Sequence, residues 1–283
     1  SVADVADSCG AERFVMISTD KAVNPRSVMG ATKRLAEQYV QWKNGESATS
    51  FAMVRFGNVL GSSGSVLEIW KRQIADGGPI TVTDPAMTRY FMSIPEAASL
   101  VMQAAAMVDE VTVGSEVFML DMGEPIRIVE LAERFVRQHG LEPLVERTDA
   151  DAARNGTAMK GGARSEIRGR MPIVFTGARP GEKLFEELSS EGEHLLPTRH
   201  ADERIWRLDP PTDEEIASML QLLPIRSGRM EAAEVVDRLR RLIPTLGRAE
   251  EAELSSDATT VQTSTAPTFE IDPSASRTVA RAE

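Results

Sequence analysis

The sequence predicts an α/β fold that is built on a doubly wound parallel sheet. Short apolar runs typical of buried strands alternate with longer segments whose apolar residues recur at helical spacing. Arg13–Ser18 and Ser50–Gly57 are the clearest strands, and the apolar stripe between Ile126 and His139 is the clearest helix. The 283 residues suffice for one large α/β domain or two smaller ones.

The predicted elements follow in order from the end of a helix that leads into the first strand. Ser27 is a plausible N-cap for a helix to Lys43, which should end at Asn44-Gly45. After the second strand, the pattern predicts a helix over Val66–Ala75, a short strand in "PITVTDP", a helix over Pro95–Met107, a strand over Glu116–Gly123 and the helix over Ile126–His139.

The C-terminal part of the chain changes in composition twice. Residues 147–170 are polar and glycine-rich, which predicts a mobile insertion, and the chain beyond Ala249 has the composition of a disordered acidic tail. Between them we expect a strand in "MPIVFTG", a helix through "EKLFEEL", a strand in "RIWRLD" and two short helices from about Thr212 and Met230. The domain prediction is therefore 1–140 for the sheet domain, 141–172 for the insertion, 173–248 for a smaller α/β substrate subdomain, and 249–283 for the tail.

Composition excludes several classes of function. The net charge of −11 repels phosphate backbones and argues against nucleic-acid binding. The single cysteine, Cys9, excludes an internal disulfide, and His139, His194 and His200 have no metal-ligand spacing, so we predict no metal site. No apolar run approaches the ~18 residues of a spanning helix, and the first residues do not form a signal peptide. These features predict a cytoplasmic location.

Polar side chains follow directly on the first predicted strand. Thr19, Asp20 and Lys21 come at its carboxyl end, where open α/β sheets bind their ligands. Met29 and Lys33 are four residues apart, so both project from one face of the next helix. A hydroxyl, a carboxylate and two ammonium groups are thus predicted to share one cleft. The alternative is an exposed Asp-Lys turn and a solvated helix lysine.

Several ordered blocks of sequence carry a resemblance to a known family. "STDKAVNPRSVMGATK" resembles the active-site segment of extended short-chain dehydrogenase/reductases, which work with NAD(P). Together with "RFGNVLGSSGSV", "GGPITVTDPAMTRYFM", "IPEAASLV", "FMLDMGEPIRI" and "FTGARPGEKLFEEL", it resembles the UDP-N-acetylglucosamine 4,6-dehydratase or polysaccharide-biosynthesis nucleoside-diphosphate sugar epimerase/dehydratase family. The resemblance runs from about residue 1 to residue 208, apart from the insertion.

The resemblance implies a reaction and roles for individual residues. The family oxidises C4 of the sugar with NAD, removes the C5 proton, expels the 6-hydroxyl as water and returns the hydride to C6. Such chemistry needs an acid, a base and carbonyl-polarising donors in one dry cleft. By resemblance Asp20 is the acid, Lys21 the base at C5, Thr19 a hydrogen-bond donor to the sugar O4, and Lys33 the ligand of the nicotinamide ribose.

Met29 departs from the reductase pattern, which places tyrosine four residues before the lysine. A thioether cannot transfer a proton. The long, membrane-anchored branch of the family resembles this chain in using methionine. We therefore interpret Met29 as apolar packing against the nicotinamide ring, while loss of the chemistry stays open as an alternative.

The remaining site residues are also implied by the resemblance. NAD is the expected cofactor, with NADP left open, and the cofactor-binding residues would be Ser18, Lys33, Phe56, Gly57 and Val59. A UDP-N-acetylhexosamine is the expected substrate, and the residues that would bind it are Asn58, Ser65, Thr81, Val82, Arg89, Arg179 and Glu182. Arg179 can grip a diphosphate with its planar fork, and Glu182 can accept both ribose hydroxyls. Taken alone, Ser65 and the "RPGE" motif would equally fit ordinary helix caps.

A glycine-rich dinucleotide fingerprint does not occur in the sequence. By resemblance, that motif and the first strands precede the segment seen here, so we expect a partial Rossmann-like domain that alone holds NAD poorly and is inactive. The resemblance also implies a homo-oligomer, and an anchor to the cytoplasmic face of the inner membrane through residues upstream. Two other functions stay open, namely a UDP-sugar C4 epimerase and a catalytically degenerate sugar-nucleotide-binding module.

Overall fold

The computed structural model describes residues 1–108, 116–120, 122–145, 169–189, 194–197, 203–207, 209–223 and 230–246. The predicted acidic tail, 249–283, and the interior of the predicted insertion, 146–168, lie outside the described residues. Within the described part, no helix has the length and apolar character needed to cross a membrane.

The described elements alternate between helices and strands. The helices are α1 Val2–Ser8, α2 Val28–Glu46, α3 Val66–Ala75, α4 Ile94–Met107, α5 Ile128–Gln138, α6 Asp213–Leu222 and α7 Ala232–Leu242, with short 3-10 turns at Asp20–Ala22 and Pro244–Leu246. The strands are β1 Arg13–Ile17, β2 Ser50–Arg55, β3 Asn58–Val59, β4 Ile80–Val82, β5 Thr88–Arg89, β6 Phe91–Met92, β7 Glu116–Leu120, β8 Ile126–Arg127, β9 Glu142–Val145, β10 Arg170–Phe175, β11 His194–Pro197 and β12 Glu203–Arg207.

The larger sheet has five strands in the order β1-β2-β7-β12-β11. The first three are parallel, whereas β12 and β11 are antiparallel to their neighbours. Successive residues of β2 face opposite sides, so Phe51 and Met53 pack towards α1 and α2 while Ala52 and Val54 pack towards α4. Helices therefore cover both faces, which confirms the predicted doubly wound α/β fold, and the antiparallel edge is an addition to it.

Helix α2 places the predicted site residues and begins where the sequence indicated. The Ser27 hydroxyl accepts the N–H of Gly30 at 3.1 Å, so the predicted N-cap is confirmed. The predicted end at Asn44-Gly45 is wrong, because the helix continues to Glu46. Asn44 instead uses its side-chain oxygen to accept the N–H of Phe51 at 2.8 Å, which ties the helix end to β2.

A smaller parallel sheet, β4-β10-β9, packs against α3 and α5. Its core contains Trp70, Ile80, Val136 and Ile173, all fully buried. The pairing of Arg170–Ile173 with Glu142–Val145 corrects the predicted bounds of the insertion, because both ends of 141–172 belong to this sheet. Of the predicted substrate subdomain, 173–248, only β10 belongs to this small sheet, whereas β11 and β12 join the larger one.

The predicted helix through Glu182–Leu188 is wrong, because this segment is irregular. Its carbonyl groups are bound by other elements instead of by amides of the next helical turn. Arg89 donates to Lys183 O at 2.8 Å and to Leu184 O at 3.2 Å, and Leu184 O also accepts the N–H of Thr88 at 3.0 Å. Tertiary hydrogen bonds to β5 thus override the helix-forming composition.

Candidate active site

The end of β1 is fixed by a buried network from three elements. Ser18 donates its hydroxyl proton to Glu37 Oε1 at 2.6 Å, and Arg55 binds both oxygens of Glu37, at 2.8 Å and 2.7 Å. Burial acts to raise the pKa of Glu37, but the hydrogen bonds and charge of Arg55, helped by Arg34 and Ser18, hold that pKa below its ordinary value. Ser18 was predicted to bind the cofactor. Its hydroxyl instead supports the end of the strand.

The next three residues form a hydrogen-bonded array at the carboxyl end of β1. Thr19 caps the 3-10 turn, accepting the N–H of Lys21 at 3.4 Å and donating to Asp20 Oδ1 at 2.9 Å. The Lys21 ammonium donates to Asp20 Oδ1 at 2.9 Å and to Asn58 Oδ1 at 3.1 Å. Asp20 is fully buried, and its Oδ2 has no hydrogen-bond partner in the described part of the chain. The predicted acid and base are thus in direct contact.

Gly30 lets helix α2 approach this turn closely. A Cβ on Gly30 would collide with the carbonyl oxygen of Lys21 and come within 3.1 Å of the Pro25 side chain. Only glycine fits at this point of the helix without moving the turn. The Lys21 main chain can therefore occupy its position only because Gly30 of helix α2 has no side chain.

A cleft of about 340 Å³ opens beside Lys21, which is within the range of small-ligand sites. Five of the predicted site residues line it together: Lys21, Met29, Arg89, Arg179 and Glu182. The rest of the wall comes from the start of α2 and the loop after β10, namely Arg26, Ser27, Pro180, Gly181, Lys183 and Glu186. Met29 is 48% exposed here, so its thioether is available for apolar contact with a bound ring.

The loop that carries Arg179 is held against α2 by a glycine. Gly181 has φ +79°, and a Cβ there would collide with the carbonyl oxygen of Arg26. Glu182 accepts the Arg179 N–H at 3.3 Å and lies 4.0 Å from Arg89. Arg89 is itself buried, and its guanidinium donates hydrogen bonds to the carbonyl groups of this loop. It holds the loop in place, a role that the sequence did not predict.

The predicted cofactor residues lie beside the turn. Lys33 is half-buried and donates from Nζ to Ile17 O at 3.1 Å, but it does not line the cleft. Phe56 O accepts the N–H of Asp20 at 3.3 Å, and Phe56 and Val59 both pack on a cluster around Met92. Gly57 leaves space for Tyr90, whose carbonyl oxygen would be 2.8 Å from a Cβ at position 57.

These positions fit the binding of a nucleotide cofactor. Lys33 and the turn after β2 lie at the carboxyl ends of adjacent parallel strands, where open α/β sheets bind nucleotides. An ammonium has three donors, and Ile17 O takes one of those on Lys33. The buried, unpartnered Asp20 Oδ2 beside them also indicates that a polar ligand group belongs here.

Four predicted substrate residues do not line the cleft: Asn58, whose side-chain oxygen accepts from Lys21 Nζ at 3.1 Å, and Ser65, Thr81 and Val82. Thr81 donates its N–H to Gln73 Oε1 at 3.0 Å, and its carbonyl accepts from Trp70 Nε1 at 2.8 Å. Val82 is buried in the core of the small sheet. Ser65 precedes α3 without a side-chain capping bond, and its hydroxyl is buried with no partner among the described residues. The Thr81 N–H is therefore already bound inside the protein.

The sequence patterns did not identify two ionisable residues near the site, Glu186 and Tyr90. Burial raises the pKa of Glu186, which lines the cleft, and the Asp20 charge adds to this effect, whereas Lys21 and Arg89 oppose it. Burial also raises the pKa of the Tyr90 phenol, with further contributions from Glu124 and Asp20. A sequence signal for Glu186 existed in "EKLFEEL", but the predicted helix gave no reason to turn that carboxyl inward.

Known proteins resemble this chain over residues 1–207, which include all the strands that the structure describes. The family described as "Polysaccharide biosynthesis protein" matches residues 1–207. "Probable polysaccharide biosynthesis protein EpsC" of Bacillus subtilis is 49% identical over 193 residues, covering 68% of this chain and 27% of EpsC. "UDP-N-acetylglucosamine 4,6-dehydratase (inverting)" of Campylobacter jejuni (strain 81-176) is 38% identical over 200 residues, covering 68% of this chain and 49% of that protein.

A solved structure has a similar fold. The X-ray structure of Pen from Bacillus thuringiensis superimposes with a TM-score of 0.56 at 28% identity, covering 76% of this chain and 57% of Pen. The chain thus spans between about a quarter and a half of the two curated relatives' lengths. The resemblance inferred from the sequence blocks is confirmed, and the match over residues 1–207 shows that the chain belongs to the polysaccharide biosynthesis protein family.

Proposed function

We propose that the whole protein is an NAD-dependent dehydratase that converts a UDP-N-acetylhexosamine into its 4-keto-6-deoxy sugar for surface-polysaccharide synthesis. One observation carries this proposal: Asp20 and Lys21 are hydrogen-bonded to each other, and Lys21 lines a cleft with Arg179. The name of the Campylobacter relative supports the same reaction class. A C4 epimerase would not need an acid–base pair for elimination.

The Asp20–Lys21 pair can balance the protons of the elimination. If the proton in the 2.9 Å hydrogen bond moves from Lys21 Nζ to Asp20 Oδ1, the pair becomes a neutral amine and a carboxylic acid. The amine then takes the C5 proton, and the acid protonates the 6-hydroxyl as the C6–O bond breaks and the C5–C6 double bond forms. Water leaves, and the pair returns to an ammonium and a carboxylate.

The other residues of the turn would orient this chemistry. Thr19 donates to Asp20 Oδ1 at 2.9 Å, and rotation of its hydroxyl would redirect the donor to the sugar O4. Lys33 would hold the nicotinamide ribose beside the end of β1. Bound NAD would supply the hydride acceptor for oxidation at C4. The O4 proton released in that oxidation would leave through the Thr19 hydroxyl to water, and a proton from water would reach C5 when the hydride returns to C6, so this scheme needs no phenol. Met29 would pack on the ring.

The nucleotide end of the substrate would lie along the loop after β10. Arg179 can bind a diphosphate through two parallel N–H bonds, and Arg26 adds a second guanidinium to the same wall. Glu182 would accept the ribose hydroxyls after releasing the Arg179 N–H. The hexose would then point towards Lys21 at the other end of the cleft.

Incubation of the whole protein with NAD and UDP-N-acetylglucosamine tests the proposal. A 4-keto-6-deoxy product that absorbs in alkali is the expected result. Formation of UDP-N-acetylgalactosamine would replace the proposal with a C4 epimerase, and binding without turnover would replace it with a sugar-nucleotide-binding module. We also propose a homo-oligomer at the cytoplasmic face of the inner membrane, which size measurements and cell fractionation of the whole protein would test.

A further inference from the structure

Lys183 is a buried lysine on the loop after β10, the loop that also carries Arg179 and Glu182. Its side chain is 6% exposed, and Nζ donates to Val23 O at 2.9 Å and to Glu187 Oε1 at 3.4 Å. Taking an ammonium out of water costs free energy, so a buried lysine needs partners that offset this cost. The proposed dehydration does not use this ammonium.

The hydrogen bond to Val23 reaches the turn that carries the proposed acid and base. Val23 follows the 3-10 turn Asp20–Ala22 as its C-cap, and the Val23 N–H donates to Asp20 O at 3.0 Å. Lys183 therefore binds the carbonyl group of the same residue whose N–H closes the turn. A buried carbonyl that loses its donor destabilises its conformation, so the placement of the turn depends on Lys183.

The next residue, Asn24, completes a closed ring of contacts. Asn24 donates from Nδ2 to Glu187 Oε2, while Glu187 Oε1 accepts from Lys183. Asn24 has φ +39°, a left-handed conformation that residues other than glycine rarely adopt and that persists only where the surroundings fix it. The hydrogen bond to Glu187 provides such a restraint. We call the four residues Val23, Asn24, Lys183 and Glu187 the clasp.

The clasp joins the loop after β10 to the segment between the turn and α2. The main-chain oxygen of Lys183 accepts from Arg89 Nη2 at 2.8 Å, so the loop side of the clasp is itself fixed. Gly181 packs so closely on Arg26 that a Cβ at position 181 would collide with the Arg26 carbonyl oxygen. The loop that would hold the nucleotide and the turn that carries Lys21 are therefore parts of one hydrogen-bonded unit.

We propose that Lys183 is a positioning residue, which transmits binding of the nucleotide on the loop to the turn that carries Lys21. This inference rests on the proposed function. An enzyme gains kcat when binding of a remote, non-reacting part of the substrate holds the reacting groups in place. The clasp is the route for this effect, because the loop has direct hydrogen bonds to Val23 and Asn24. Lys183 acts through the turn and does not need to contact the sugar.

The variant Lys183→Met tests this role in the whole protein, because methionine has a similar length and no donor. The Kd of UDP should stay unchanged, whereas kcat for the 4-keto product should fall by about tenfold or more, since a small misplacement of reacting groups is costly. Arg238→Met is the matched control. Arg238 also donates to a main-chain oxygen, Leu222 O at 2.7 Å, and to a carboxylate four positions away, Glu234, but it does not line the cleft. This control should lower Tm and leave kcat unchanged.

Amide exchange gives a second readout that does not depend on turnover. The Val23 N–H is bound to Asp20 O, so its exchange in D₂O reports opening of the turn. Saturating the wild type with UDP should slow this exchange by about fivefold or more, which is the lower end of typical coupling between two sites. In Lys183→Met, UDP should still bind, and the exchange of the Val23 N–H should be the same with and without UDP.

The outcomes separate the two proposals. A lower kcat with an unchanged Kd of UDP, together with loss of the UDP effect on Val23, supports the inference. A wild-type kcat, weakened UDP binding or a retained UDP effect in folded Lys183→Met overturns the inference alone. A wild type that forms no 4-keto product overturns the proposed function and the inference with it. If Lys183→Met does not fold, Glu187→Ala opens the clasp from a side chain that is 42% exposed, and a wild-type kcat in that variant also overturns the inference.

Discussion

The Lys21 ammonium donates a hydrogen bond to Asp20 Oδ1 at 2.9 Å, and the Asp20 carboxyl is completely buried. The two groups that the proposed dehydration needs are thus adjacent in sequence and in space. Gly30 of helix α2 leaves room for the turn that carries them, and Asn58 of β3 accepts a hydrogen bond from Lys21 Nζ at 3.1 Å. Substitutions in and around this turn test the arrangement.

Replacing Lys21 by alanine should nearly abolish dehydration by the whole protein. A positioned acid or base typically accelerates a reaction by roughly 10²–10⁴-fold. We therefore expect the rate of 4-keto product formation to fall by about 100-fold or more. Lys43→Ala, which removes the ion pair of Lys43 with Asp7 at the C-terminal end of α2, should stay within about twofold of the wild type. Full activity in Lys21→Ala would exclude Lys21 as the base.

Gly30→Ala should displace the turn that carries Lys21. The new methyl group would collide with the Lys21 carbonyl oxygen, so we expect a stability loss of about 1–3 kcal/mol and a lower kcat. Gly45→Ala in the same helix meets nothing within 4 Å and should raise stability by about 0.5–1 kcal/mol instead. Chemical denaturation and steady-state rates measure both effects. Equal behaviour of the two variants would contradict the close contact.

Arg179→Ala should weaken the binding of UDP-sugar by more than tenfold, because a guanidinium–diphosphate contact is bidentate and charge-assisted. Calorimetric titration of the whole protein with UDP measures this without turnover. Arg137→Ala removes a guanidinium that is paired with Glu133 on the surface of α5, and should leave the Kd unchanged. An unchanged Kd in Arg179→Ala would show that the diphosphate binds elsewhere.

Glu37→Gln should destabilise the protein in a pH-dependent way. The pKa of Glu37 is lowered in the fold, so its contribution is present above the unfolded value of about 4.5 and is lost as pH falls through the folded value. Removing this partner leaves Arg55 buried without its counter-charge, which costs roughly 3–5 kcal/mol at pH 7. The gap in unfolding free energy should narrow below pH 4.5.

Glu133→Gln provides the comparison for that prediction. Its ion pair with Arg137 lies on the surface of α5, so the change should cost roughly 0–1 kcal/mol at any pH. A stability gap in Glu37→Gln that is constant from pH 3 to pH 7 would mean that the carboxylate of Glu37 does not support the Ser18–Arg55 network.

Local patterns predicted those parts of the fold that depend on local physics. The Ser27 cap, the bounds of α3 and the strand at Arg13–Ile17 follow from capping residues and apolar spacing. The helix through Glu182–Leu188 was wrong because hydrogen bonds from β5 take its carbonyl groups, and no local pattern contains a partner that is about 95 residues away. The antiparallel pairing of β12 with β7 was not predicted either, because these two strands are also far apart in the sequence.

The candidate site was predicted unevenly for a similar reason. Lys21, Met29, Arg179 and Glu182 share the cleft because strand ends and the start of α2 meet there, as the α/β pattern implies. Ser18 lies at the expected position but faces inward to Glu37, and side-chain direction at a strand end is decided by packing. Glu186 was identified only from the fold, which places it in the wall of the same cleft as Lys21.

Deuterium incorporation at C5 tests the central claim most directly. The whole protein is incubated with NAD and UDP-N-acetylglucosamine in D₂O, and the product is analysed by proton NMR. The account predicts a 4-keto-6-deoxy sugar that carries solvent deuterium at C5, with no such product from Lys21→Ala. A UDP-N-acetylgalactosamine product that retains the C5 proton would contradict it.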